Sequence, residues 1–261
     1  MTAGGAQRSS QMPQSSPQID PGFVRLQLDF ACALRNVMNA SLSDILLPYT
    51  QFHRLLGLGR PDQGPAEGWR PIAAEVDRLD TPGNVEAFLI EALRSAPPPA
   101  RDPNQTLFGC FACERPNGSG GVRIHFTHRD PRPGPGPLSQ SRLHARRAEL
   151  ASMIEHLNAS EPLAKTIEGA SWLYNTDAYR RIFPAEYVSS LTPKAGPRSL
   201  TGYSHWGQFI DHDGRLKPNP ARAFRQRLSE LDGKEPWLVF PHQVLIASAP
   251  LTSFASLSRS A

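Results

Sequence analysis

A chain of 261 residues with 39 % hydrophobic side chains and 20 glycines has room for one or two domains around an ordinary core. Its 26 prolines, about one residue in ten, stay short of collagen-like or low-complexity composition, and three cysteines cannot build a disulfide framework. The 28 basic against 24 acidic side chains permit an anionic ligand but lack the dense stripe that nucleic acid calls for.

Only four of the basic residues are lysines (165, 194, 217 and 234), and alanine, glycine and proline abound, which is the coding habit of a GC-rich bacterial genome. No run of about twenty apolar residues and no apolar leader occurs, so the expectation is a cytoplasmic protein without a membrane span.

Residues 1–19 hold little to bury and read as a disordered tail. From Asp20 onward Phe23, Leu26, Phe30, Leu34 and Val37 recur at helical spacing, with Pro21 at a first helical position. Ser41 or Ser43 caps a second helix that is bent at Pro48 and stopped by Gly57 and Gly59. Pro71 opens a third, and Asn84 caps a fourth that carries Val85, Phe88, Leu89 and Leu93. Residues 20–96 therefore form a helical unit, and 97–106, with Pro97 to Pro99, a linker.

The period then changes from 3.6 to 2. Leu107–Glu114 and Val122–His128 flank a turn-rich connector, which predicts a hairpin of two strands. A Pro/Gly loop at 131–137 leads to a helix from Ser141 to Leu157. Next come a strand at 166–174, a helix at 177–187 broken at Pro184, a strand at 200–210, a helix at 220–231 and a strand at 237–247. The fold class is α+β: an N-terminal helical unit, then a mostly antiparallel or mixed sheet with flanking helices over 107–255, and a short tail at 256–261.

Cys110-x-x-Cys113 followed by His125-x-x-His128 has the ligand types of a tetrahedral zinc site. Residues three apart on a strand face opposite ways, so a flat hairpin cannot bring all four together, and the expectation is no structural metal. Arg123, Arg129, Arg132, Arg142, Arg146 and Arg147 face only one acid, Asp130, between residues 122 and 147. Guanidinium forks converging on the N-terminus of the helix from Ser141 would suit a phosphate-bearing small molecule. The competing reading is a solvated helix face with Arg146 paired to Glu149.

Trp172-Leu173-Tyr174-Asn175-Thr176-Asp177-Ala178, followed by Ile182-Phe183, resembles the strand-to-helix passage of the GNAT superfamily of acyl-CoA N-acyltransferases, and the element order over 120–260 is similar too. The resemblance implies an acyl-CoA ligand with its pyrophosphate on the loop before the Ser141 helix, and Tyr174 or Tyr179 as the acid that protonates the leaving thiolate. Arg129, Arg142, Arg146, Arg147 and Asn175 are then the ligand-binding candidates, with His205 a further catalytic candidate. Two departures from the family stand out: prolines at 131, 133, 135 and 137 replace the N–H-rich phosphate loop, and a helix separates the last two strands.

Trp206 to Asp213 resembles the distal-haem motif of animal-type haem peroxidases, which would make Asp211 a haem ester and His212 a proton carrier. The likeness spans eight residues, and Asp213-Gly214 also reads as a plain turn. Ser171–Asn175 and Trp206–Phe209 further resemble an uncharacterised bacterial family, which implies no function. The alternative to an enzyme is a non-catalytic binding protein with an aromatic cleft of Trp172, Tyr203, His205 and Trp206.

Overall fold

The computed structural model describes residues 19–59, 61, 66–97, 102–127, 130, 134–194, 196 and 200–257. Five helices come first: α1 (Pro21–Met38), α2 (Leu42–Tyr49), α3 (Phe52–Leu55), α4 (Trp69–Arg78) and α5 (Pro82–Ser95). Asp20 caps α1 by accepting the Gly22 N–H, with Pro21 in the first turn where a missing N–H costs nothing. Ser41 caps α2. The cap of α5 is Thr81 rather than Asn84, because Pro82 fixes the first helical φ and the Thr81 hydroxyl then reaches the Asn84 N–H at 3.2 Å.

The second half builds a sheet: β1 (Gln105–Phe108), β2 (Phe111–Glu114), β3 (Gly121–Phe126), helix α6 (Leu143–Ser160), β4 (Thr166–Ser171), short helices α7 (Asp177–Arg180) and α8 (Ala185–Ser189), and β5 (Thr192–Pro193). Helices α9 (Tyr203–Trp206) and α10 (Pro218–Arg227) precede the last strand, β6 (Leu245–Pro250). The strand order is β1-β2-β3-β4-β6-β5. Only β3 and β4 run parallel, joined through α6, and every other neighbouring pair is antiparallel. The expected α+β class is observed, with a mixed sheet.

Four expected strands differ, and in one of them, 166–174, β4 stops at Ser171 because Trp172–Asn175 close into a 3-10 turn capped by the Ser171 hydroxyl. The run 107–114 is itself a hairpin, because Gly109 turns the chain with φ +61° and lets β1 fold back on β2. Residues 200–210 coil into α9 and a 3-10 turn: Trp206 and Phe209, three apart, both drop into an aromatic core, which alternating strand geometry forbids. Residues 236–239 form a 3-10 turn opened by Pro236, so pairing in that stretch starts only at Leu245.

Two hydrophobic clusters result. One joins α1–α5 to Leu200, Trp206, Phe209, Phe224 and Phe240, so residues 200–240 complete the helical unit's core. Phe30 and Trp206 pack edge to face there, with ring centres 5.6 Å apart. The other lies between the sheet and α6–α8, where Tyr174, Tyr179, Phe183 and Tyr187 pack around Gly169 of β4. The Tyr174 and Tyr187 hydroxyls pair at 2.6 Å. A Cβ on Gly169 would overlap both oxygens. Gly169→Ala should therefore lower stability by about 1–3 kcal/mol through overpacking. In a Tyr174→Phe, Tyr187→Phe background the same change should cost measurably less, as read by urea unfolding.

Candidate functional site

Of the arginines singled out by the sequence, Arg142, Arg146 and Arg147 stand at the start of α6 with different tasks, Arg123 lies on β3, and Arg132 lies outside the described residues. Arg142 is the residue at the N-terminal boundary of α6; it provides no side-chain cap, and its Nε lies 3.9 Å from Asp130. Arg146 is only 1 % exposed. Its Nη2 donates to Asp130 Oδ2 at 2.9 Å and lies 2.9 Å from Glu149 Oε1, while Nη1 touches the Cys110 sulfur. Glu149 Oε2 accepts the Cys110 backbone N–H at 2.9 Å, in the space that Gly109 leaves by having no side chain. Arg146 thus fastens α6 to the β1–β2 turn. Arg129 lies outside the described residues.

Arg147 faces a groove of about 500 Å³ between the first turns of α6 and residues 182–184. Gln140, His144 and Arg147 supply its polar wall and Leu143, Ile182 and Phe183 its apolar one, and no carboxylate lines it among the described residues. Arg147 donates to the Arg181 carbonyl at 2.7 Å. Arg181, which the sequence reading passed over, donates to Gln140 Oε1 at 2.5 Å and to the Leu138 carbonyl at 2.8 Å, closing the loop before α6. The signal was the Arg180-Arg181 doublet that follows the strand-to-helix passage. The first turn of α6 carries no acidic residue, against the usual preference of a helix N-terminus. The Nε atoms of Arg146 and Arg181 are buried without an acceptor among the described residues.

The hydrogen-bonded ladder between β3 and β4 runs only from Gly121↔Thr166 to Ile124↔Gly169. Beyond it β3 continues to Phe126 against β2, and β4 to Ser171 against β6. The tyrosines stand where that ladder lapses: Tyr179 meets Phe126 edge-on at 5.3 Å and the Tyr174 hydroxyl lies over Gly169. Tyr174 and Tyr179 are 1 % and 2 % exposed, and burial pushes the phenols of Tyr174, Tyr179 and Tyr187 upward, so all three stay protonated. Phe183 separates them from the groove, with ring centres 5.0 Å from both Tyr179 and Tyr187.

Asn175 has a tying role, since its Nδ2 donates to the Trp172 carbonyl at 2.7 Å and to the Gln243 carbonyl at 2.8 Å. His205 belongs to the other core, packed against Phe240, with Nδ1 buried and unpartnered. Burial, and then the charge of Lys194, hold its imidazole down to about 4. Trp172 stacks with the exposed His242 (5.9 Å, 15°) and carries the Lys217 ammonium 5.0 Å from its ring centre. Tyr203 is 49 % exposed, whereas Trp206 is fully buried with its indole N–H on the Leu200 carbonyl.

The other two motifs take up structural positions. Asp211 Oδ1 accepts the N–H groups of Asp213 and Arg215, so that carboxylate caps a turn. Cys113 faces the sheet-side core, while His125 pairs with Glu114 at 2.7 Å on the opposite face. His128 lies outside the described residues. No family model, curated protein or solved structure matches this chain.

Two stability predictions follow from these contacts. Arg146→Ala removes the buried guanidinium that ties the half-buried Asp130 and Glu149 to the Cys110 turn and should cost about 3 kcal/mol, against less than about 1 kcal/mol for Arg147→Ala. Urea midpoints of the two variants separate the roles. For His205 the unfolded chain, titrating near 6.5, takes up its proton before the folded one does. Its contribution is complete above that pH and is lost as pH falls toward about 4, up to about 3 kcal/mol in all. Melting curves between pH 7 and 4.5 should fall less steeply for His205→Leu.

Proposed function

We propose that this chain binds a phosphate-bearing small molecule in the groove at the start of α6 and acts on it as an enzyme, an acyl-CoA-dependent acyltransferase being the reaction that fits best. The observation that carries the reading is Arg147 in a groove that no carboxylate lines among the described residues, with Arg142 and Arg181 nearby at the loop and first turn of α6. Asp130 and Glu149 offset the charge of Arg146, which is turned into the sheet, while Arg147 stays on the groove side of the first turns of α6, near the positive end of the helix dipole. Pro135 and Pro137 offer no N–H in the preceding loop, so phosphate recognition falls to Arg147, Arg181 and His144.

The acyltransferase part rests on the resemblance stated above and is supported by the element order, with a parallel β3/β4 pair bridged by α6 and followed by the Trp172–Ala178 passage. A thioester ligand would supply the activated acyl group. The chain's own residues would hold the phosphates at Arg147 and Arg181 and offer a neutral phenol at Tyr174. A non-catalytic binding role is the second reading, favoured by the stack of half-buried Trp172 on exposed His242 near the exposed Tyr203.

Each charge-assisted hydrogen bond contributes roughly 1.5–3 kcal/mol, so two or three sustain micromolar affinity after the costs of binding. Coenzyme A at one hundred times its dissociation constant should stabilise the fold by about 2.7 kcal/mol, raising the melting temperature by roughly 5 °C or more. Arg147→Ala should remove most of that shift while leaving the unliganded melting point nearly unchanged. A shift given by neutral aromatic compounds and by no phosphate compound would move the assignment to the Trp172 cleft.

A further inference from the structure

Phe183 sits on the least regular stretch of the sheet-side core. Helix α7 ends at Arg180, α8 starts at Ala185 behind Pro184, and the link between them is held by short-range turns such as Phe183 N–H to the Arg180 carbonyl at 3.1 Å. One side of the Phe183 ring lines the groove. The other stacks on Tyr187 at 28° and meets Tyr179 edge-on, covering the Tyr174–Tyr187 hydroxyl pair over Gly169. Two residues earlier in the chain, the Arg181 carbonyl is gripped by Arg147, the same side chain that presents its charge to the groove.

We propose that Phe183 is a shutter between the groove and the Tyr174–Tyr187 hydroxyl pair, latched by the Arg147 bond to the Arg181 carbonyl and released when an anion in the groove recruits Arg147. An anion offers the guanidinium fork stronger, charge-assisted acceptors than a neutral carbonyl, and a bidentate grip on it turns the fork away from the Arg181 carbonyl. The proposal rests on the anion-binding reading above. It adds the shape of the ligand: a phosphate end at Arg147 and an apolar arm that takes the place of the Phe183 ring. That arm ends in an oxygen acceptor, because behind the ring lie aromatic walls and a hydroxyl pair that, with one proton shared between its two oxygens, has the other left to donate. Phe183 is a positioning residue that sets which arms reach the tyrosines.

Amide hydrogen exchange of the full chain, followed in peptides covering residues 181–189, tests the latch with inorganic pyrophosphate as the probe. Exchange in the wild type should become about fivefold faster with pyrophosphate, since losing a latch lowers the local opening energy. Arg147→Ala should exchange that fast without pyrophosphate and no longer respond to it, while peptides of α1 stay unchanged in every case. Pyrophosphate that raises the melting temperature yet leaves exchange at 181–189 unchanged or slower overturns the shutter. Pyrophosphate that does not bind overturns the anion reading, and exchange in Arg147→Ala then decides the latch alone: fast exchange sustains it and wild-type exchange ends it. Phe183→Leu gives a second check. It keeps an apolar core residue but should expose the buried tyrosines to acrylamide quenching, and quenching as low as in the wild type would count against the shutter.

Discussion

The constraint on which the sheet half depends is the burial of one charged side chain. Arg146 sits almost out of contact with solvent between Asp130, Glu149 and the Cys110 sulfur. A guanidinium at that depth is tolerable only when carboxylates and hydrogen-bond acceptors surround it. Satisfying it fixes three things together: the rotation of α6 about its axis, the turn at Gly109–Cys110, and the position of Asp130 after β3. The groove then inherits its walls, because consecutive residues on a helix are about 100° apart. With Arg146 turned into the sheet, Arg147 has to face residues 182–184.

That same rotation explains why the arginine cluster was legible as a cluster but not as separate roles. Sequence shows Arg142, Arg146 and Arg147 near Asp130 and Glu149, and both the ion-pair and anion-site readings are physically sound for such spacing. Which arginine takes which role depends on the side of α6 that faces the sheet. Leu150, Met153, Ile154 and Leu157 mark the inward stripe of α6, and Arg146 lies on it one turn earlier, where helical spacing points inward and a charge alone points to solvent. The N-terminal helices were legible down to several caps because Asp20, Ser41 and the stop glycines act locally. The stretch at 200–210 misled because an aromatic run suits a buried strand as well as a helical turn. Phe30, Phe224 and Phe240, all distant in sequence, form the aromatic core that Trp206 and Phe209 join.

The tyrosines show the same division between local and tertiary information. The sequence placed Tyr174 at the end of a strand and Tyr179 on the following helix, yet their partner Tyr187 lies beyond Pro184 on another short helix. Gly169 is what makes the arrangement possible, and an isolated glycine within a strand announces only a close approach, not what approaches. Burial keeps these phenols protonated, which suits hydrogen-bond donors and not bases.

The two cores meet through amides rather than charges. Gln208 donates to the carbonyls of His205 and His242 and accepts the His242 N–H, while Asn175 reaches from the end of the Trp172–Asn175 turn to the Gln243 carbonyl. Neutral side-chain amides bind backbone on both sides with little desolvation cost, so this seam holds its geometry across the pH range in which His205 and the carboxylates titrate. The charged groups are then free to concentrate at α6, where one arginine is committed to the fold and its neighbour is presented to the groove. Among the described residues the Arg147 guanidinium has one hydrogen-bond acceptor, a neutral carbonyl, and it stands on the helix turn that Arg146 ties to the sheet.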